Sequence, residues 1–384
     1  MQRTAQDWLV LTELTHHNGT AVGIVMGLQF APQFFLLPWT GFAADYYDRR
    51  TLLIATQTFM GILALALGIL TIVGIVQLWQ VYIFAFLSGC ASAFDSPVRQ
   101  TFVTELVGDT DLPNAVALNS TSFTAAAMVG PAIAGLVIAA VGTGWAFLLN
   151  AASFIAVLAS LFLLRTRDLH PSLRVAQSKS GFAEGLRYVW SRPDLRAIIV
   201  MLLLFGMFGL NFQILVAITA VSVFHTNARG YGILSSVMAI GAVLGALFAA
   251  SGDRPGFMSL LIGAVVFGLG CMMAAVAPDY GVFAVALAII GLATMTFTNA
   301  TNSLMQLTTE PTMRGRVMAL RVGVALGATS IGAPIVGWLA NHFGARIALG
   351  VVSASGVATG IVAIYAIKQR LHLPRQGEFP TEKE

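Results

Sequence analysis

Eleven stretches of this 384-residue chain are almost continuously apolar and about 20 residues or longer, and nothing constrains its fold more. They run 19–41, 52–75, 79–99, 114–141, 145–164, 197–222, 231–251, 257–277, 281–304, 317–340 and 346–367. A helix rises about 1.5 Å per residue and bilayer hydrocarbon is roughly 30 Å thick, so each stretch matches one crossing. Barrel strands would instead give alternating segments of about ten residues. Peptide groups inside hydrocarbon must bond within the chain, which leaves helices. We therefore expect an all-α polytopic membrane protein. Composition agrees: 57% of residues are hydrophobic, 10% are charged, and mean hydropathy is +0.82. A soluble domain carries roughly 25% charged residues, so a cytosolic enzyme, a secreted disulfide scaffold and a disordered chain are all excluded. Cys90 and Cys271 sit in apolar runs with no metal or disulfide spacing.

Residues 1–15 are helix-like, but such a segment covers only about 22 Å. We read it as the second half of a first span, giving 11 complete spans plus a partial one, with Met1 an internal methionine. In that form the chain is expected to be inactive. A short interfacial helix is the alternative. No signal peptide pattern opens the chain.

Basic residues set the orientation, because cytoplasmic loops are rich in Lys and Arg. Of the 21, eighteen fall at one set of span ends, including Arg49, Arg50, Arg99, seven from Arg165 to Arg196, Arg314, Arg316 and four from Lys368 onward. Arg229 and Arg346 fall at the other set. The alternation places the 165–196 loop and the C-terminus in the cytoplasm of a bacterial plasma (inner) membrane. It also divides the chain into a bundle over 1–164, a linker over 165–196, a second bundle over 197–368 and a tail over 369–384. Phe182–Trp190 reads as a short surface helix in that linker.

The halves resemble each other. At an offset of 202 residues, Gly130, Ile133, Gly135, Gly142 and Ala146 match Gly332, Ile335, Gly337, Gly344 and Ala348. Two parallel six-helix repeats suggest a transporter with its site between them.

The segment Gly41-Phe-Ala-Ala-Asp45-Tyr-Tyr-Asp-Arg49-Arg50 joins the spans at 19–41 and 52–75. It resembles the loop motif of the major facilitator superfamily. DSPVRQTFVTELV (95–107), LPNAVALNS (112–120), VGPAIAG (129–135) and RGRVMAL (314–320) resemble its drug:proton antiporters and enterobactin-type siderophore exporters, over essentially all of 1–368. The resemblance implies that Asp45 faces the start of the span near Arg316. Arg49 needs an anion, for which Asp95 is the candidate, and Gly41 permits close helix approach. Such a cluster would lock the cytoplasmic face; an ordinary turn with basic anchors is the alternative. The second-half counterpart, AASGDR at 249–254, lacks the glycine and would form a weaker lock. Gly130, Pro131 and Gly135 resemble an antiporter signature, degraded by Ala126 and Ala134, and serve equally well for helix packing.

Charges inside membrane helices cost about 2.5–3.5 kcal/mol on insertion scales and tend to be functional. Arg3 and Asp7 lie four apart on one helix face. Asp7 is the expected proton-coupling carboxylate, with Glu13 second; a structural Arg3–Asp7 ion pair is the alternative. Gln29, Gln33, Asn119, Asn211, Gln213, Asn299 and Asn302 are cavity candidates, or else interhelical bonds. Phe30, Phe34, Phe35 and Trp39 offer aromatic surface.

Together these readings predict a proton-coupled exporter of small apolar or amphipathic compounds, with a uniporter or importer as the alternative. An intramembrane enzyme or a receptor-like scaffold would be a different class, and no clustered catalytic set supports an enzyme. The expected partners are lipid, a small-molecule substrate and protons, with no nucleic acid. The expected state is a monomer with no metal and no cofactor.

Overall fold

The computed structural model describes residues 1–36, 39–40, 46–107, 111–165, 181–251, 256–310 and 313–372. These residues are nearly all helical. Helix α1 (Gln2–Trp8) runs into a π-helical coil, Leu9–Leu14, and is followed by α2 (Gly19–Phe35), α3 (Arg49–Val73), α4 (Leu78–Leu106), α5 (Leu112–Val141) and α6 (Thr143–Leu163). After a short helix α7 (Gly181–Ser191) come α8 (Pro193–Phe208), α9 (Phe212–Ser222), α10 (Ala228–Ser251), α11 (Phe257–Val276), α12 (Tyr280–Thr308), α13 (Arg314–Phe343) and α14 (Ala345–His372). Helix α7 occupies the place expected of the surface helix, with Trp190 exposed.

Local chemistry sets several helix starts. The side chains of Asn18, Asp48 and Asp279 accept hydrogen bonds from first-turn amides of α2, α3 and α12, at 2.8–3.3 Å. Each satisfies a donor that the helix itself cannot. Helix α3 stops at Gly74, whose φ of 77° is a left-handed conformation open to glycine at little cost.

Among the described residues, nine helical segments are long and apolar enough to cross a bilayer. One is the broken rod α8–α9, Pro193–Ser222. The expected spans at 19–41 and 114–141 are helical as α2 and α5, but α2 has 17 described helical residues and the strongly apolar part of α5 is Val129–Val141. Large apolar side chains such as Ile155, Leu163, Leu247 and Leu269 stand exposed. Water would penalise that surface and lipid does not.

Two close contacts join the helices before residue 166 to those after 180: α2 on α13, and α5 on α10. Both are built on small residues. A Cβ at Gly337 would strike the Gly19 carbonyl and lie 3.1 Å from the Gly23 Cα. A Cβ at Gly232 would lie 2.9 Å from the Pro131 carbonyl and 3.0 Å from the Gly135 Cα. Backbones this close gain van der Waals contact that bulkier residues forbid. In the second group of helices, Phe205 stacks on Phe297 at 4.2 Å and meets Phe267 at 4.6 Å in a fully buried core.

Gly337→Val should therefore destabilise the protein by about 1–3 kcal/mol through overpacking. Gly350→Val should have little effect, because nothing lies within 4 Å of a Cβ added there. Thermal unfolding of both variants in detergent checks this contrast.

Candidate functional site

The α1 segment ends at the point where its hydrogen-bond register changes. Trp8 stacks on Tyr231 of α10 at 5.9 Å, which ties α1 to the second group of helices. The π-helical coil begins at the next residue, Leu9. Such coils insert a local register shift and recur at functional sites. Asp7 sits just before the shift and is 3% exposed.

A cavity of about 380 Å³ lies beside it. Arg3 and Asp7 line it from α1, Gly130 and Pro131 from α5, Leu210 and Gln213 from the α8–α9 break, and Ser235 and Met238 from α10. A neighbouring cavity of about 250 Å³ is lined by Gln2, Arg3, Gln29, Phe30 and Gln33. Arg3 belongs to both, and its guanidinium carbon lies 4.6 Å from the centroid of the Phe30 ring. Arg3 and Asp7 share a helix face, yet they are not among the ion pairs within 4.0 Å that the described residues form. The simple structural pair is not what this geometry contains.

The break between α8 and α9 explains two of the polar candidates differently. Asn211 is fully buried, and its side-chain amide donates to the Met207 carbonyl at 2.8 Å, repairing the interrupted helix. It therefore holds the backbone rather than lining the cavity. Gln213 does line the cavity, and its amide donates to the Ser235 hydroxyl at 2.9 Å. The fully buried Tyr231 has its hydroxyl beside these two side chains.

The other candidates scatter. Glu13 is exposed near the end of the π-helical coil and accepts a hydrogen bond from Thr143 at 2.8 Å. Asn119 is exposed on α5. Asn299 and Asn302 are half-buried on α12, and Gly135 is occupied in the α5–α10 contact. None of these five lines the two cavities. Tyr231, Ser235, Met26 and Met238 join the site without having been singled out. A serine within an otherwise apolar stretch was the available signal for Ser235.

At the α3–α4 end the expected arrangement needs correction. Arg49 pairs with Glu105 at 2.7 Å, not with Asp95. Asp95, 1% exposed, accepts from Gln57 at 2.7 Å and Thr56 at 3.0 Å, and pairs with Arg99 one turn along α4. The i,i+4 spacing brings Arg99 to Asp95 without any tertiary rearrangement, and Glu105 lies farther along α4, where it meets Arg49 at the start of α3. Arg50 donates to the carbonyls of Leu161 and Phe162 at the end of α6, at 2.8 and 3.2 Å. Gly41, Asp45 and Arg254 lie outside the described residues.

The family model for transmembrane secretion effectors matches residues 1–379. The multidrug efflux pump Tap of Mycolicibacterium fortuitum is 27% identical, covering 94% of this chain and 90% of that protein. The enterobactin exporter EntS of Escherichia coli O1:K1 / APEC is 25% identical, covering 97% and 89%. Among solved structures, a bacterial homologue of the human lysosomal transporter Spinster, inward-facing and unoccupied, superposes with a TM-score of 0.71 at 16% identity, covering 95% of this chain and 92% of that one. That likeness establishes the fold.

The Asp95 cluster yields a direct test. Asp95→Leu strands the Gln57 amide, while Thr56 keeps the Leu53 carbonyl as acceptor, and should destabilise the protein by about 2 kcal/mol. Asp95→Asn keeps an acceptor oxygen and should cost roughly half of that. Unfolding temperatures in detergent, ranked wild type, then Asn, then Leu, check the assignment.

Proposed function

The chain belongs to the transmembrane secretion effector family of the major facilitator superfamily, and on that premise we propose that it is a proton-coupled exporter of small apolar or amphipathic compounds. It is a membrane transporter rather than an enzyme. Its relatives' names, a multidrug efflux pump and an enterobactin exporter, support export as the direction.

The observation that carries the reading is the cavity lined from both groups of helices, with a buried carboxylate in its wall. In our reading, six-helix bundles over 1–164 and 197–368 contribute eleven spans and the partial first one. They rock about the α2–α13 and α5–α10 contacts, and the cavity between them opens to each side in turn. Met26, Leu210 and Met238 provide apolar, adaptable surface for the substrate. Asp7 binds a proton from one side and releases it to the other. Neutralising a carboxylate in a low-dielectric wall removes the cost of exposing its charge there. The proton therefore favours a different arrangement of the halves from the one favoured by the ionised group, and this differential preference is what couples the two fluxes.

Sidedness belongs to the same proposal. Eighteen of 21 basic residues at one set of ends support a cytoplasmic linker and C-terminus.

In proteoliposomes with an imposed pH gradient, Asp7→Asn in a form that carries a complete first span should lower gradient-driven transport at least tenfold while leaving substrate exchange without a gradient within about twofold. Full gradient-driven transport by this variant would remove Asp7 from the coupling role. Single cysteines beside Arg229 and Arg346, in a background lacking Cys90 and Cys271, should react with an impermeant reagent added outside intact cells. Reaction only after lysis would reverse the proposed orientation.

A further inference from the structure

Arg3 is a cation whose surroundings proton coupling does not account for. Its Nε is buried and has no hydrogen-bond partner. Among the described residues no carboxylate lies within 4.0 Å of it as an ion pair; their four ion pairs use Arg49, Arg99, Arg192 and Arg316. Around it stand three neutral amides, Gln2, Gln29 and Gln33, and the Phe30 ring. Amides hydrogen-bond but do not balance a charge. The nearest opposite charge is Asp7, which shares the larger cavity and attracts the guanidinium from beyond ion-pair distance, so the N–H donors of Arg3 are left without a direct anionic partner among the described residues. The residue nevertheless opens onto two adjoining cavities, of about 250 and 380 Å³.

The geometry around the cation also defines what would complete it. Phe30 lies against the guanidinium, with 4.6 Å between the guanidinium carbon and the ring centroid, and the two cavities adjoin the same side chain. A planar fork of donors matches a carboxylate in two parallel hydrogen bonds. The larger cavity is lined by Arg3 and Asp7, by apolar Met26, Leu210 and Met238, and by the hydrogen-bonded Gln213–Ser235 pair.

We propose that Arg3 is the seat for an anionic group, a carboxylate or one of like shape, on the transported molecule, whose apolar body fills the adjoining cavity. This rests on the export reading above and narrows it to organic acids with a compact apolar body. A ligand so placed meets Arg3 of α1 with its charged group and lies in a cavity also lined by the α8–α9 region and α10. Its binding therefore bears on both groups of helices at once. The negative charge of Asp7, one turn from Arg3, makes the seat sensitive to whether that carboxylate is ionised, because the ionised form repels the incoming anion.

Equilibrium dialysis of the purified protein in detergent, with 1-naphthoate and its neutral methyl ester as probes, tests the proposal without any transport step. Wild type should bind naphthoate at least tenfold more tightly than the ester. Arg3→Gln should lower naphthoate affinity at least tenfold and leave ester binding within twofold, the latter also reporting an intact fold. Arg3→Lys, which keeps the charge and loses the fork, should retain part of the preference. Asp7→Asn should strengthen naphthoate binding. A folded wild type without preference for the acid, or an Arg3→Gln protein that keeps the full preference, overturns the proposal. With efflux measured on a form that carries a complete first span, loss of the preference with gradient-driven efflux intact sinks this inference alone; preference intact with no efflux sinks the export reading alone.

Discussion

Water is absent from the middle of a bilayer, and the structure depends on that one fact. Every peptide group there must find its partner within the chain. Unbroken helices answer the demand, and the described residues are almost all helical. The departures are therefore informative. Two of them, the π-helical coil at Leu9–Leu14 and the break between Phe208 and Phe212, both adjoin the cavity. At the break, Asn211 replaces lost backbone bonding by donating to the Met207 carbonyl. Irregular backbone is tolerated where protein groups re-satisfy it, and the same irregularity turns Leu210 and Gln213 toward the space between helices.

The second consequence concerns how helices hold together. Lipid is as apolar as leucine, so burial from water does not draw one helix onto another inside the membrane. Close fit has to do it, between the two groups of helices at Gly19, Gly23 and Gly337 and at Gly135 and Gly232, and within the second group at Gly241, Gly291 and Gly332. Charged groups are concentrated near the helix ends. Arg49–Glu105 and the Asp95 cluster bind α3 to α4. On the other side of the chain, Glu184 of α7 pairs with Arg316 at 3.0 Å, and the Tyr188 hydroxyl accepts from the Glu310 amide at 3.4 Å. The short helix α7 is thereby fastened to the connection between α12 and α13. Among the charges set within helices, Arg3 and Asp7 lie at the cavity, where their cost makes them a natural focus of function, while Arg321 of α13 donates to the Thr298 carbonyl of α12.

Much of the site was legible in the residues themselves. Arg3, Asp7, Gln29, Gln33, Gln213, Gly130 and Pro131 were singled out because polarity or proline in an apolar run needs a reason, and they line the two cavities. Other polar residues with the same credentials went elsewhere: Asn211 to backbone repair, Glu13 to Thr143, Asn119 to an exposed face. One-dimensional polarity does not distinguish these fates, because each depends on which neighbour a helix presents. Tyr231 illustrates the converse. It sits at the edge of an apolar run, and only its stacking against Trp8 places it beside the site.

From the sequence alone came the helical class, the approximate positions of the rods and the family likeness, because apolar length and local motifs are properties of contiguous residues. Which rods touch, and therefore which charges meet, was decided by tertiary structure. Arg49 went to Glu105 rather than Asp95 because a long side chain at a helix start takes the acceptor that packing brings within reach. Arg3 lies one turn from an aspartate yet forms no ion pair within 4.0 Å among the described residues, since sharing a helix face does not by itself bring two charged tips together. Side-chain direction and the shape of the space between helices belong to the folded assembly, and no spacing rule along one chain contains them.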